Sequence, residues 1–211
     1  YMLFTKVILL FDSCPGNQIM ITIRKIHNIT LSLLSIFMLV SIIYANFLTN
    51  KLSSLHNLLC ISYNNNYVAL FSAKMFLYSK YLEWGDTLLL HLSGKPISML
   101  QYTHHMSTAF LVYLNTVETM NSHYIVAMGL NCLVHIPMYW YFAYPNGFLK
   151  QFRVRITQIQ IIQHIICIIT SIYICFTDCH QNKYGNKCGL IGYLMYLFYF
   201  SLFYIKSYFR K

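Results

Sequence analysis

The sequence predicts an all-α integral membrane protein with six transmembrane helices, preceded by the remnant of a seventh. Three observations carry this. Of 211 residues, 57% are hydrophobic and only 9% charged, where soluble domains carry about a quarter charged residues. Apolar stretches long enough to cross a bilayer, roughly 17–25 residues, recur along the chain with no soluble domain between them. Lys and Arg residues gather on alternate connections, as the positive-inside rule requires of a polytopic protein.

In order, residues 1–11 read as the tail of a first helix. The chain starts with Tyr rather than Met, so the upstream part of that helix is expected to precede it. No small-residue cleavage pattern follows, so this is not read as a signal peptide. The spans are expected at 29–49, 66–92, 97–115, 121–143, 150–176 and 189–207. The stretch 29–49 is free of charge, whereas 66–92 contains Lys74, Lys80, Glu83 and Asp86. The stretch 97–115 carries adjacent histidines, and 121–143 a mid-span Pro137. An isoleucine-rich run makes up most of 150–176, and 189–207 is rich in Tyr and Phe. Residues 1–211 are thus one polytopic membrane domain, expected to lack most of its first helix.

Numbering the connections alternately puts Arg24, Lys25, Lys95, Lys150, Arg153, Arg155, Lys206, Arg210 and Lys211 on one side. Lys51, Lys183 and Lys187 fall on the other. The richer side is the cytosol, which holds the loops 12–28, 93–96 and 144–155 and the C-terminus. The net charge of +10 therefore expresses topology and attraction to lipid headgroups, not nucleic-acid binding, and leaves some cations to grip an anionic substrate. Cys132 and Cys167 fall inside apolar helices as small buried hydrophobes. Cys60, on the loop after 49, and Cys179 and Cys188, on the loop after 176, face an oxidising lumen. There a disulfide from Cys60 to either Cys179 or Cys188 is expected. Cys175, Cys179, His180 and Cys188 match no common zinc spacing, and no metal is expected.

Ionisable residues inside spans are costly and usually face a cavity or a partner. Here they form four groups at helical spacing: Lys80, Glu83, Asp86 and Thr87; Gln101, His104 and His105; Asn131 and His135 with Met138 and Tyr139; and Thr157, Gln160, Gln163 and His164. At 1.5 Å per residue from the cytosolic ends, all fall in one slab roughly 10–20 Å deep, although their helices alternate in direction. One polar pocket open to the cytosol is the economical account. His91, His123 and His164, taken singly, are better read as packing or interfacial residues.

These motifs resemble those of the very-long-chain fatty acid elongases, the membrane 3-ketoacyl-CoA synthases of the endoplasmic reticulum. Lys80-Tyr-Leu-Glu83-Trp-Gly-Asp86-Thr87 fits K-x-x-E-x-x-D-T. Gln101-Tyr-Thr-His104-His105 corresponds to the box H-x-x-H-H, with Gln in the first place. Asn131-Cys-Leu-Val-His135-Ile-Pro-Met138-Tyr139-Trp-Tyr141-Phe142 fits N-x-x-x-H-x-x-M-Y-x-Y-Y, with Phe last. Thr157-Gln-Ile-Gln160-Ile-Ile-Gln163 fits T-x-x-Q-x-x-Q. The family's C-terminal dilysine signal has no clear counterpart.

The resemblance implies a six-helix barrel enclosing an acyl tunnel, and an enzyme that joins acyl-CoA to malonyl-CoA. The product would be a 3-ketoacyl-CoA two carbons longer, released with CO2 and CoA and without a cofactor. It implies that His104 carries the acyl group as an acyl-imidazole. His135 would stabilise the enolate or shuttle a proton, and Asn131, Gln101 and His105 would supply hydrogen bonds. Glu83 and Asp86 would fix ring tautomers and anchor Lys80. Thr87, Met138, Tyr139, Tyr141, Thr157, Gln160 and Gln163 complete the substrate site. Lys95, Lys150, Arg153 and Arg155 would hold the CoA phosphates. The implied partners are membrane lipid and the ketoacyl reductase, dehydratase and enoyl reductase of the cycle, with a homo-oligomer allowed. A di-iron desaturase or hydroxylase would need several histidine boxes, and this sequence has one. A transporter would need broken helices at mid-membrane, for which Pro137 is thin support.

Overall fold

A computed structural model describes residues 6–8, 12–49, 53–60, 62–63, 66–117, 122–177, 179 and 183–209. Lys51, His180, Arg210, Lys211 and most of the expected first-helix remnant lie outside these residues. Among the described residues the fold is helical: α1 (Gln18–Leu48), α2 (Leu55–Cys60), α3 (Tyr67–Leu82), α4 (Trp84–Leu92), α5 (Met99–Val117), α6 (Ser122–Ala143), α7 (Arg153–Phe176) and α8 (Lys183–Tyr208). A 3₁₀ turn, Phe148–Phe152, leads into α7.

The helices depart from the expected spans in ways that local chemistry explains. The first begins eleven residues before 29, because the Asn17 side chain accepts from the Ile19 N–H and caps it. Arg24 and Lys25, assigned to a loop, therefore ride on α1. At 31 residues this helix is about 46 Å long, enough to reach beyond a hydrocarbon core of about 30 Å. Asn66 caps α3 through Ala69 N–H. The expected span 66–92 is not continuous: it breaks at Glu83, where the backbone tightens and the Asp86 N–H bonds the Glu83 carbonyl at 3.1 Å. Gly94, at φ +69°, ends the segment in the left-handed conformation that glycine adopts without strain. Finally, α8 starts at Lys183, so Cys188 lies in a helix rather than on a loop.

Among the described residues four helices are long and apolar enough to cross a membrane: Gln18–Leu48, His123–Ala143, Phe148–Phe176 and Tyr184–Tyr208. They carry four of the six expected spans, 29–49, 121–143, 150–176 and 189–207. The two segments that fall short, α3–α4 and α5, are those carrying Lys80, Glu83, Asp86, Gln101 and the paired histidines. The break at Glu83 leaves α3 with 16 residues and α4 with 9, each short of a span alone, while polar side chains lower the hydropathy of α5.

The most extensive pairings are α1 with α6 and α7 with α8; α1 also packs on α3, α3 on α5, α5 on α8, and α6 on α7. Ser32 and Ser35 are buried on α1, small enough for close approach, and the Ser32 hydroxyl donates to the Ile136 carbonyl on α6 at 3.0 Å. A core of Met38, Ile42, Ala73, Phe76, Ile125 and Met128 joins α1, α3 and α6.

Cys60 and Cys179 form a disulfide across 119 residues of sequence, while Cys188 is a free thiol. The bridge marks one end of the bundle; Arg24, Lys25, Lys95, Arg153 and Arg155 mark the opposite, basic end. Replacing both bridge cysteines by serine is expected to lower stability by about 2–4 kcal/mol, because a long loop loses its closure. A thermal melt in detergent checks this, and an unchanged midpoint would show that the bridge adds nothing.

Candidate active site

A partly open cavity of about 60 Å³ lies among α3, α5, α6, α7 and α8. Lys80, His104, Asn131, Gln163 and His164 line it towards the basic end. Asn115, Tyr124 and Tyr193 line it towards the disulfide end, and Phe76, Leu111, Val112 and Met128 form the apolar wall between. From His104 to Asn115 the α5 backbone rises about 16 Å. Each of the four sequence groups thus sends at least one side chain to one elongated chamber with a polar head and a mostly apolar body.

The polar head is organised by a buried cation. Lys80 and Glu83 are each only 2% exposed and pair at 2.7 Å, and the same Lys80 ammonium donates to Asn131 Oδ1 at 2.9 Å. An ammonium only donates, so it fixes the Asn131 amide with its oxygen towards Lys80 and its NH2 towards His135. Asn131 Nδ2 then donates to His135 Nε2 at 3.1 Å, which makes Nε2 an acceptor and places the proton of the neutral ring on Nδ1. That nitrogen faces Glu83 Oε1 at 3.6 Å. One lysine therefore sets the tautomer of a histidine on another helix. Glu83 Oε2 is buried without a hydrogen-bond partner among the described residues. His135 is buried and stands behind Asn131 rather than on the cavity wall.

His104 faces the cavity and is half-buried, while His105 is buried. The His104 ring lies against Tyr196 at 5.0 Å and Phe200 at 6.0 Å between centroids, and against His105 at 5.6 Å. Tyr196 is held by Ser107 at 2.7 Å. Aromatic walls thus hold the imidazole, and among the described residues no side chain hydrogen-bonds its ring nitrogens.

The break at Glu83 gives the first turn of α4 three tasks. Trp84 Nε1 donates to the His105 carbonyl at 3.2 Å and ties α4 to α5. Asp86 accepts from His27 on α1 at 3.0 Å and from the Tyr139 hydroxyl on α6 at 3.1 Å. Thr87 is fully buried.

The other expected residues distribute as follows. Gln163 reaches the cavity. Gln160 Nε2 donates to Met138 Sδ at 3.1 Å, tying α7 to α6. Thr157 is buried and bonds the Arg153 carbonyl and the Tyr208 hydroxyl, away from the cavity wall, and Tyr141 packs on Phe142. Gln101, expected beside the histidines, is half-buried in the first turn of α5 and does not line the cavity. At the basic end, Lys150 bonds Asn146 and Arg155 bonds Gln158, while Arg153 is exposed. Lys95 has its pKa lowered by partial burial and by the nearby Arg24 charge, so two cations there oppose each other across a surface suited to an anion. Among the described residues no three His, Cys, Asp or Glu side chains gather as a metal site would require.

Sequence reasoning missed His164, His27 and Tyr196. His164, read as a packing residue, lines the cavity between the rings of Tyr196 and Phe200, with Nδ1 unpartnered among the described residues. Its place directly after Gln163, in the fourth polar group, was the available signal. His27 was assigned to a loop, and Tyr196 is one of many aromatics on a helix with no polar stripe.

The model of the ELO: GNS1/SUR4 family matches residues 1–211. Fatty acid elongase A of Dictyostelium discoideum is 30% identical over 195 residues, covering 88% of this chain and 71% of its own. Fatty acid elongase 2 of Trypanosoma cruzi is 30% identical over 204 residues, covering 88% of this chain and 72% of its own. Long chain fatty acid elongase 2 of Caenorhabditis elegans is 34% identical over 149 residues, covering 64% and 53%.

Proposed function

The chain belongs to the ELO: GNS1/SUR4 family, and we propose on that premise that it is the condensing enzyme of fatty acid elongation. In this role it joins acyl-CoA to malonyl-CoA in the endoplasmic reticulum membrane, with its basic end in the cytosol. The observation that carries the proposal is His104, an imidazole whose nitrogens bond no side chain among the described residues, at the polar head of an elongated, largely apolar cavity. The neighbour relations α1–α3–α5–α8–α7–α6–α1 support a six-helix barrel around that cavity.

In the first step a His104 nitrogen attacks the thioester carbonyl. The C–S bond breaks, CoA leaves as the thiol with the imidazole proton, and the acyl group stays on the ring. Its tail lies along Leu111, Val112 and Met128 towards Asn115. Malonyl-CoA then loses CO2, and the electron pair of the broken C–C bond forms an enolate. The Lys80 ammonium and the NH2 of Asn131 are the positive and donor groups on the cavity wall that such an oxyanion needs, and His135 steadies that amide from behind. The enolate carbon attacks the acyl carbonyl, the C–N bond breaks, and the departing imidazole regains a proton. Each cycle consumes one proton and gives a 3-ketoacyl-CoA, CO2 and CoA. The phosphates of CoA have Arg24, Lys95, Lys150, Arg153 and Arg155 as their counter-charges, and the product passes to a ketoacyl reductase, a dehydratase and an enoyl reductase.

Purified protein given acyl-CoA and labelled malonyl-CoA should yield labelled 3-ketoacyl-CoA without added metal or nucleotide. No condensation product with any acyl-CoA, short or long, saturated or unsaturated, would sink the proposal. The cavity wall offers a second test. A Cβ at Gly192 would lie 2.5 Å from Leu111 Cδ1, and Leu111 lines the cavity about 10 Å beyond His104 along α5. Gly192→Ala is expected to force Leu111 aside and shift products towards shorter chains. Mass-spectrometric product profiling checks this, and an unaltered profile would place the acyl tail elsewhere.

A further inference from the structure

We infer that His27 is a positioning residue for the condensation site, acting through Asp86 and Tyr139 on His135. The inference rests on the proposed condensation. His27 Nε2–H donates to Asp86 Oδ1 at 3.0 Å, and the other carboxylate oxygen accepts from the Tyr139 hydroxyl at 3.1 Å. Asp86 thus has one oxygen held by α1 and one by α6, and both are taken. Tyr139, fully buried, sets its ring edge-on to His135, with centroids 5.2 Å apart and planes at 89°. Held at one end by Asp86, the tyrosine ring walls the imidazole that Asn131 and Glu83 hold by its nitrogens. His27 is the outermost member, and its side chain is still 20% exposed.

The sequence makes room for this contact. Gly85 sits where a Cβ would come within 2.9 Å of His27 Cε1 and 3.4 Å of Nε2, so any larger residue would push the imidazole from its place against Asp86. Gly85 contributes no side chain to the Asp86–Tyr139 hydrogen bond, so a methyl there meets His27 and leaves the chemical groups of the rest of the relay unchanged. Two unrelated changes, one on α1 and one on α4, therefore address the same hydrogen bond.

His27→Ala is expected to lower kcat by about 10- to 100-fold, the effect of small misplacement at a reacting centre, with the KM for acyl-CoA within about twofold. His27→Gln, whose Nε2 can donate to Asp86 in place of the imidazole, is expected to recover most of the rate. Gly85→Ala is expected to reproduce the His27→Ala phenotype. The variants are assayed for condensation beside the wild type, with gel filtration and thermal melts reporting folding. Full rate in His27→Ala, or a well-folded His27→Gln no faster than His27→Ala, overturns the inference; so does a Gly85→Ala protein with wild-type kcat. If His27→Ala does not fold, the Gln and Gly85 variants decide by the same criteria. A wild type without condensing activity removes the functional proposal and this inference together, whereas an active wild type beside a fully active His27→Ala removes only the inference.

Discussion

His104→Ala should lose condensation almost completely, with kcat reduced by at least about a thousandfold, as removal of a covalent nucleophile does elsewhere. The loss should be chemical, not structural. The His104 ring contacts Tyr196, Phe200 and His105 without a hydrogen bond to its nitrogens among the described residues. Deleting it therefore widens an existing cavity and leaves no polar group stranded. Thermal midpoints close to wild type, with acyl-CoA still bound, would complete the result. A variant retaining a tenth of the wild-type rate would mean that His104 is not the acyl carrier.

The largest effect on stability is expected at Lys80. Lys80→Met removes the ammonium from a pair in which both side chains are almost wholly buried, leaving Glu83 charged and unmatched. Breaking such a pair from one side costs about 3–5 kcal/mol. The double change Lys80→Met with Glu83→Gln removes both charges and should recover much of that loss, which a denaturation series in detergent would show. Activity should not return with stability. Without the ammonium, the Asn131 amide keeps only its bond to His135 and can turn over, and the His135 tautomer loses its determinant. If the double variant were no more stable than Lys80→Met alone, the pair would be carrying neither role.

Much of this site was legible in the sequence because intramembrane polar residues are few and their spacing reports a face. Lys80 and Glu83 did turn inward together, Asn131 and His135 did meet them, and the depth count brought His104 to the same slab. The sequence did not reveal the break at Glu83. A helix interrupted within an apolar run keeps its 3.6-residue pattern on both sides, and only the tertiary demands on Trp84, Gly85 and Asp86 separate α3 from α4. Two of the six expected spans stand out less in the fold for a related reason, since the break at Glu83 shortens α3 and α4 and polar side chains lower the hydropathy of α5. His27 stayed hidden because the Asn17 cap that extends α1 towards the basic end is a local bond, outweighed in the sequence by the charges of Arg24 and Lys25. Gln101 was placed by its helical spacing from His104 and its position in the histidine box, and in the fold it stands in the first turn of α5, outside the cavity lining.

The central claim, that an acyl group rests on His104 between two half-reactions, is tested most directly by giving the purified protein acyl-CoA alone. The expected result is release of about one CoA per active site before any malonyl-CoA is added, with the acyl mass on the peptide that contains His104. No CoA release until malonyl-CoA arrives, and no acylated peptide, would contradict it.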